Sequence, residues 1–318
     1  MTVRWGFLGA GFIASHALAP AVQAADGAVL QAAAARDPER ARALGPVTTH
    51  PSYDALLADP EVDAVYISLS NEAHLPWTLA ALAAGKHVLC EKPFCLTAAE
   101  LDQVAAAAGD LLAVEASWYR WHPRVRLAQQ HLASIGPVEH VSAGFAFAGD
   151  LDGNYRMDPA RGGGALYDVG HYAVSAALWA VGRGLPREVA ARSSFAATGV
   201  DLQTEAVLDW EGASALVRCG IDAALGQWLV ITGARGELEL RDAPFTSWTT
   251  DDTELWVSDG WGTQRLPVPA VDAYRLMVQE MSSVIEGGPG WVLPLADSRE
   301  TAACLDLVRA AAVSADGF

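Results

Sequence analysis

Cysteine is scarce in this chain. Cys90, Cys95, Cys219 and Cys304 are spread through 318 positions, and none forms a CxxC pair. No Cys/His cluster has zinc spacing, so neither a disulfide framework nor a metal site is read. Free buried thiols in a reducing compartment are expected. Basic charge is also short: 21 Lys and Arg stand against 38 Asp and Glu, a formal net charge of −17. Nucleic acid is thereby excluded as a partner, because a phosphate backbone requires a basic footprint. No run of about 18 apolar residues is free of charges and breakers, so no membrane span is read. No basic segment followed by an apolar stretch opens the sequence. Trp5–Ala10 reads as a strand flowing into a glycine turn rather than a leader, and a cytoplasmic location is the expectation.

What is abundant is apolar surface, 52% hydrophobic residues against 19% charged, enough for a large core. The length suggests two domains, placed at 1–118 and 119–318, with the final helices packing back on the first. In the first, strand-like and helix-like runs alternate. Val3–Leu8, Val29–Ala35, Val62–Leu69, His87–Cys90 and Leu111–Glu115 read as strands, with helices at Ile13–Ala25, after Asp37-Pro38, and at Pro76–Ala84 before Gly85. Asp37 followed by Pro38 and Glu39 has the form of an N-cap, an N1 proline and an acidic first turn. This alternation predicts an α/β, doubly wound parallel sheet. The second part reads as helix His122–Ser134, strand Val138–Phe147 and a helix over 165–181. Strand runs come next at Glu188–Phe195, Glu205–Trp210, Ser214–Ile221, Trp228–Thr232, Glu237–Arg241 and Glu254–Ser258. They predict an open, mainly antiparallel sheet. Asp272–Glu286 and Ser298–Val313 close the chain as helices.

Three distant stretches carry the chemistry. Gly9, Gly11 and Ala14 fit the G-x-G-x-x-G/A turn, which with Phe12 and Ile13 brings backbone N–H groups to a dinucleotide pyrophosphate. The acid that usually follows the second strand in NAD sites is missing, and Arg36 stands there instead. That favours NADP, with NAD possible, Arg36 reading a 2′-phosphate; the alternative is a solvated surface arginine. After the strand Val62–Leu69, Ser70, Asn71 and His74 line the strand-end crevice; His74 either faces the nicotinamide or caps the helix at Pro76. Glu91-Lys92-Pro93 ends the strand His87–Cys90 and supplies a lysine at the same edge. Gly162–Gly164 lets backbone pass close to a neighbour and opens a helix in which Asp168 and Tyr172 share a face, while Gly170 makes room for a ligand or the sheet. A tyrosine beside an ammonium has its pKa drawn down from about 10 and serves as an acid/base in hydride transfer. His171 is the rival acid/base.

These residues resemble the glucose-fructose oxidoreductase / inositol dehydrogenase / rhizopine-catabolism (Gfo/Idh/MocA) family over essentially the whole chain. Ala81-Leu82-Ala83-Ala84-Gly85-Lys86-His87-Val88-Leu89-Cys90-Glu91-Lys92-Pro93 is the most specific stretch. Glu115-Ala116, Tyr119-Arg120-Trp121-His122-Pro123 and the closing helices from Tyr274 to Val313 add to it. Many members carry histidine four residues after the aspartate. Tyr172 at that position is similar to the subgroup with NADP-dependent D-xylose 1-dehydrogenases and dimeric dihydrodiol dehydrogenases. The resemblance implies Lys92 and Tyr172 as the catalytic pair, Asp168 orienting substrate hydroxyls, and Arg120 near the nicotinamide or substrate. It also implies a homodimer or homotetramer. Ser70 stands where proline is common, and His171 where a small or apolar residue is usual. The expected activity is NADP-preferring hydride transfer at a sugar or polyol carbon. The alternatives are reduction of a nucleotide-linked deoxysugar, with Arg156, Arg161 and Arg192 as diphosphate partners, and a non-catalytic NADP(H) sensor.

Overall fold

The structure is a computed structural model that describes residues 2–149, 151–240, 244–246 and 251–314. The chain forms two compact units. The first comprises Met1–Cys95, Ala99–Trp121 and Asp272–Ser298; the second comprises Leu96–Ala98, His122–Val271 and Arg299–Phe318.

Unit 1 is built on β1 (Val3–Leu8), β2 (Ala28–Ala34), β3 (Thr48–Thr49), β4 (Ala64–Ile67), β5 (His87–Cys90) and β6 (Ala113–Glu115). All pairs are parallel, in the order β3-β2-β1-β4-β5-β6. Strands β1, β4 and β5 are buried almost end to end, as a parallel sheet covered on both faces requires. The connecting helices are α1 (Ala19–Ala24), α2 (Pro38–Ala43), α3 (Tyr53–Leu57), α4 (His74–Ala83) and α5 (Ala98–Ala108). Asp37 caps α2 as its sequence suggests, accepting from the Glu39 N–H at 3.0 Å. Gly85, at φ +74°, follows α4.

The helix after the glycine turn departs from a regular pattern: a π turn, Ala14–Leu18, precedes α1. The carbonyls just before it are contested by side chains. Ser15 Oγ donates to the Gly11 carbonyl at 2.8 Å, and His16 Nδ1 lies 3.0 Å from the Phe12 carbonyl. Such bonds to the preceding turn loosen the i→i−4 ladder.

Unit 2 contains α6 (Pro123–His131), β7 (Val138–Ala148), α7 (His171–Val181), β8 (Glu188–Phe195), β9 (Asp201–Trp210), β10 (Ala213–Gly220), β11 (Asp222–Gly233), β12 (Gly236–Glu239), β13 (Thr253–Asp259) and β14 (Gly262–Val268). α8 (Ala273–Ile285) returns to unit 1, where Trp5 of β1 donates its indole N–H to Ser282 Oγ at 3.1 Å. α9 (Leu295–Ala311) and β15 (Ala312–Ser314) end the described chain. The second sheet runs β14-β13-β12-β11-β7-β10-β9-β8-β15. It is mainly antiparallel, with parallel pairs at β7–β10 and β8–β15. Of the strand read at Glu237–Arg241, Arg241 lies outside the described residues. The last two residues of the expected helix Ser298–Val313, Ala312 and Val313, instead open β15. Its pairing partner is β8, more than a hundred residues earlier. No helix among the described residues is long and apolar enough to cross a membrane.

Candidate active site

Register sets a level rim in unit 1. Ala34, Leu8, Ile67, Cys90 and Glu115 pair across five adjacent strands. The residues just past the strand ends therefore emerge at one carboxyl edge: Arg36, Gly9, Ser68, Lys92 and Ser117. The strand order reverses between β1 and β4, where open α/β sheets take their ligands.

Gly9 has φ +97°, and a Cβ there would sit 2.3 Å from the Ser68 carbonyl oxygen at the end of β4. At Gly11 a Cβ would be 3.2 Å from Ser68 Oγ. Gly9 needs glycine for the turn to thread between the strand ends, whereas at Gly11 a side chain would have to displace the Ser68 hydroxyl by a few tenths of an ångström. The residues present fit a dinucleotide: a glycine turn at the switch point, a helix start beyond it, and cations rather than an acid after β2. Phe12 is 63% exposed and stacks on His16, with ring centroids 4.2 Å apart. Arg36 is exposed, and Asp37 is occupied as the α2 cap. Sequence reasoning missed Arg40, whose guanidinium donates to the Ala10 carbonyl inside the glycine turn. Its signal was a second arginine, in the first turn of a helix whose N-cap is plain in the sequence.

The turn bearing Lys92 is fastened from three sides. The Lys92–Pro93 bond is cis. His74, fully buried, puts Nδ1 2.8 Å from the Pro93 carbonyl and Nε2 3.2 Å from the Leu69 carbonyl. Burial lowers its pKa, although both carbonyls favour the cation. His74 thus ties the loop after β4 to the loop after β5. Glu115, buried at the end of β6, accepts from the Phe94 N–H at 2.8 Å, Ser117 Oγ at 3.1 Å and Ser298 Oγ at 3.2 Å. Glu91 accepts from the Tyr66 hydroxyl at 2.7 Å and from the Lys92 N–H at 3.2 Å. Burial raises the Glu91 carboxyl, against the Tyr66 hydrogen bond and the Lys92 charge. Ser70 donates to Glu72 at 2.7 Å, and Asn71 is buried beside it. Arg120 is buried, 5.7 Å over the Trp291 ring and 3.5 Å from Asp297. The roles of Tyr66 and Glu115 were not visible in sequence.

Unit 2 holds Asp168 and Tyr172. A π turn, Leu166–Gly170, leads into α7, so the helix expected over 165–181 is widened at its start. The triple glycine meets protein. A Cβ on Gly163 would lie 2.4 Å from the Arg156 carbonyl oxygen, and one on Gly164 2.1 Å from Asp201 Oδ1. Gly170 makes room for the sheet: its Cβ would lie 2.9 Å from Cys219 Sγ of β10. Asp201 holds the start of this helix, accepting from the Leu166 N–H at 2.8 Å and from Thr204 Oγ1 at 2.9 Å. Burial raises its pKa, and those two donors oppose the shift. Tyr172 is buried, its ring 5.8 Å from Phe145 and 5.7 Å from His171. Asp168 is buried and paired with Arg156.

The reversed strand order, the glycine turn and the lysine-bearing rim define a dinucleotide-binding α/β protein equipped for oxidoreduction. Comparison with known proteins makes this specific. A model of the oxidoreductase family, NAD-binding Rossmann fold, matches residues 3–114, and the GFO/IDH/MocA C-terminal domain matches residues 125–239. D-xylose 1-dehydrogenase (NADP(+)) 2 of Haloferax volcanii is 36% identical, over 99% of this chain and 98% of the relative. Trans-1,2-dihydrobenzene-1,2-diol dehydrogenase of Mus musculus is 32% identical, over 76% of this chain and 75% of its own length. KijD10, a 3-ketoreductase from Actinomadura kijaniata solved with NADP and TDP-benzene, superposes with a TM-score of 0.90 at 28% identity, over 99% of each chain. The chain belongs to the Gfo/Idh/MocA oxidoreductase family and is a nicotinamide-dependent enzyme.

Proposed function

We propose an NADP-preferring dehydrogenase acting on a free sugar or polyol. The observation that carries it is the level rim of unit 1, which sets the glycine turn, Arg36 and Lys92 at one edge of the sheet. Likeness to a xylose dehydrogenase over nearly the full length supports the substrate class. NADP, when bound, supplies the hydride acceptor in oxidation and the donor in reduction. Gly9, Gly11, Phe12, Ile13 and Ala14 hold the pyrophosphate, and Arg36 with Arg40 reads the 2′-phosphate. Ser70, Asn71, Glu91 and Arg120 support the nicotinamide side, with His74 fastening the loops there. Lys92 favours the Tyr172 phenolate, whose oxygen takes the proton from the substrate hydroxyl; Asp168 orients neighbouring hydroxyls. Absorbance at 340 nm with NADP⁺ and NAD⁺ across aldoses, polyols and dihydrodiols tests this. Cofactor binding with no turnover on any carbonyl or hydroxyl compound would overturn it in favour of a sensor.

The likeness to KijD10 favours a second reading, reduction of a nucleotide-linked ketosugar. Against it, two of the three expected diphosphate partners are engaged by carboxylates: Arg156 by Asp168 and Arg192 by Glu205. Arg161 lies over the Tyr155 ring. Requirement for the nucleotide moiety decides between the two.

Charge-assisted hydrogen bonds contribute about 1.5–3 kcal/mol. Arg36→Ala and Arg40→Ala should therefore each raise KM for NADP⁺ by roughly 10- to 100-fold. In Arg36→Ala, KM for NAD⁺ should barely move, and equal losses with both cofactors in that variant would remove the 2′-phosphate assignment. A homodimer or homotetramer through the open face of the second sheet is also proposed. There Leu216 and Val207, 42% and 48% exposed, pair across β9 and β10. Leu216→Glu should lower the mass seen by light scattering; a monomeric wild type contradicts this. The four buried free thiols fit a reducing, cytoplasmic setting.

A further inference from the structure

Asp168 does not stand as a lone anion beside Tyr172. Arg156 Nε donates to its Oδ2 at 2.6 Å and Nη2 to its Oδ1 at 3.1 Å, a bidentate pair. The loop that carries Arg156 is tied to the start of the tyrosine helix. The Arg156 N–H donates to Asn154 Oδ1 at 3.0 Å, and its carbonyl accepts from the Gly164 N–H at 2.9 Å. Gly163 is bare against that same carbonyl. The guanidinium lies 5.0 Å over the Tyr155 ring. Burial works against its charge, but Asp168 outweighs burial and, with the Tyr155 and Tyr172 hydroxyls, holds the pKa above its ordinary value. Clamped on Asp168, one turn before Tyr172, the guanidinium stands within electrostatic reach of that tyrosine.

A carboxylate one turn before a phenol pushes that phenol's pKa up, opposite to what a proton-accepting tyrosine needs. Other titratable or charged groups around this helix are His171 on α7, Cys219 on β10, Asp201 at the helix start, and Tyr167 on the π turn, whose hydroxyl accepts from Arg309 of α9. Resting on the reading of Tyr172 as proton carrier, we propose that Arg156 is a positioning residue for proton transfer. Clamped on Asp168, it cancels that carboxylate's field at Tyr172 while fixing the carboxylate for substrate hydroxyls.

The test needs no substrate. With [ζ-¹³C]tyrosine, the Tyr172 signal is assigned by its loss in Tyr172→Phe and titrated by NMR. In Arg156→Gln the phenol pKa should rise by about one pH unit or more, because the buried carboxylate is no longer cancelled. Arg156→Lys keeps the charge and should stay near wild type. Arg156→Gln/Asp168→Asn removes both charges and should return toward wild type. The double variant also avoids an unpaired buried charge, so its stability should stay nearer to wild type than that of the single variant. An unmoved phenol in Arg156→Gln, or equal shifts in all three variants, overturns the proposal. The pH dependence of kcat/KM for sugar oxidation should follow the same order. If the NMR order holds but wild type oxidises no sugar, the dehydrogenase reading fails and the Arg156 role stands. If sugars turn over but the NMR order fails, the reverse is true.

Discussion

Tyr172→Phe should lower kcat for sugar oxidation by roughly 10²- to 10⁴-fold, the range supplied by a positioned acid/base. NADPH affinity, read by nucleotide fluorescence, should stay within about threefold, because the tyrosine is assigned to the substrate proton and not to the cofactor. Lys92→Ala should fall comparably. In the proposed mechanism the two act as one unit, one oxygen and the cation that keeps it anionic. The double variant should therefore be about as slow as the worse single variant, not the product of both losses. His171→Ala should lose far less. His171 is buried and edge-on to Tyr172, so its replacement tests packing against the tyrosine rather than proton transfer. A ranking with His171 above Tyr172 would give the proton to the imidazole instead.

Gly164→Ala should be the most destabilising small substitution near this helix. Gly164 sits at φ +111°, where a Cβ is strained by about 1–3 kcal/mol before any contact is counted. That Cβ would also lie 2.1 Å from Asp201 Oδ1. Moving the carboxylate loosens its hold on the Leu166 N–H and Thr204. Loss of a charge-assisted bond adds about 1.5–3 kcal/mol. Together these predict a melting temperature lower by on the order of 10 °C. Gly260→Ala is the control: exposed, with nothing within 4 Å of its Cβ. It should stay within about 0.5 kcal/mol of wild type. Equal melting temperatures for the two variants would show that the Asp201 hook is not needed.

Local chemistry was legible in the sequence, and long-range placement was not. The run Val3–Leu8 announces a buried strand, and Asp37-Pro38-Glu39 announces a capped helix, because each depends on a few adjacent residues. The glycine turn and the lysine after β5 were legible for the same reason. The triple glycine shows the limit. Its small residues say that something comes close, but Gly164 meets a carboxylate 37 residues later, on β9. Tyr66 with Glu91, and Glu115 with Phe94, meet across neighbouring strands whose pairing no short window contains. Arg156 was read only as a diphosphate partner, because its spacing from Asp168 follows no helical or strand period. β15 was hidden within an alanine-rich helical run, since edge pairing leaves no local mark.

The path of the chain sets an order on synthesis. α8 belongs to unit 1 yet is made after nearly all of unit 2. Its inward residues Tyr274, Met277, Val278 and Met281 are buried in the finished protein, where Trp5 of the first strand bonds to Ser282. While the ribosome is still extending the second sheet, the first sheet lacks that cover and shows water an apolar flank. A nascent chain of this kind is a natural client for holding chaperones and is prone to sticking when translation outruns them. Slower codons, lower growth temperature or co-expressed chaperones should raise the recovered yield of intact protein more than any change to the surface charge.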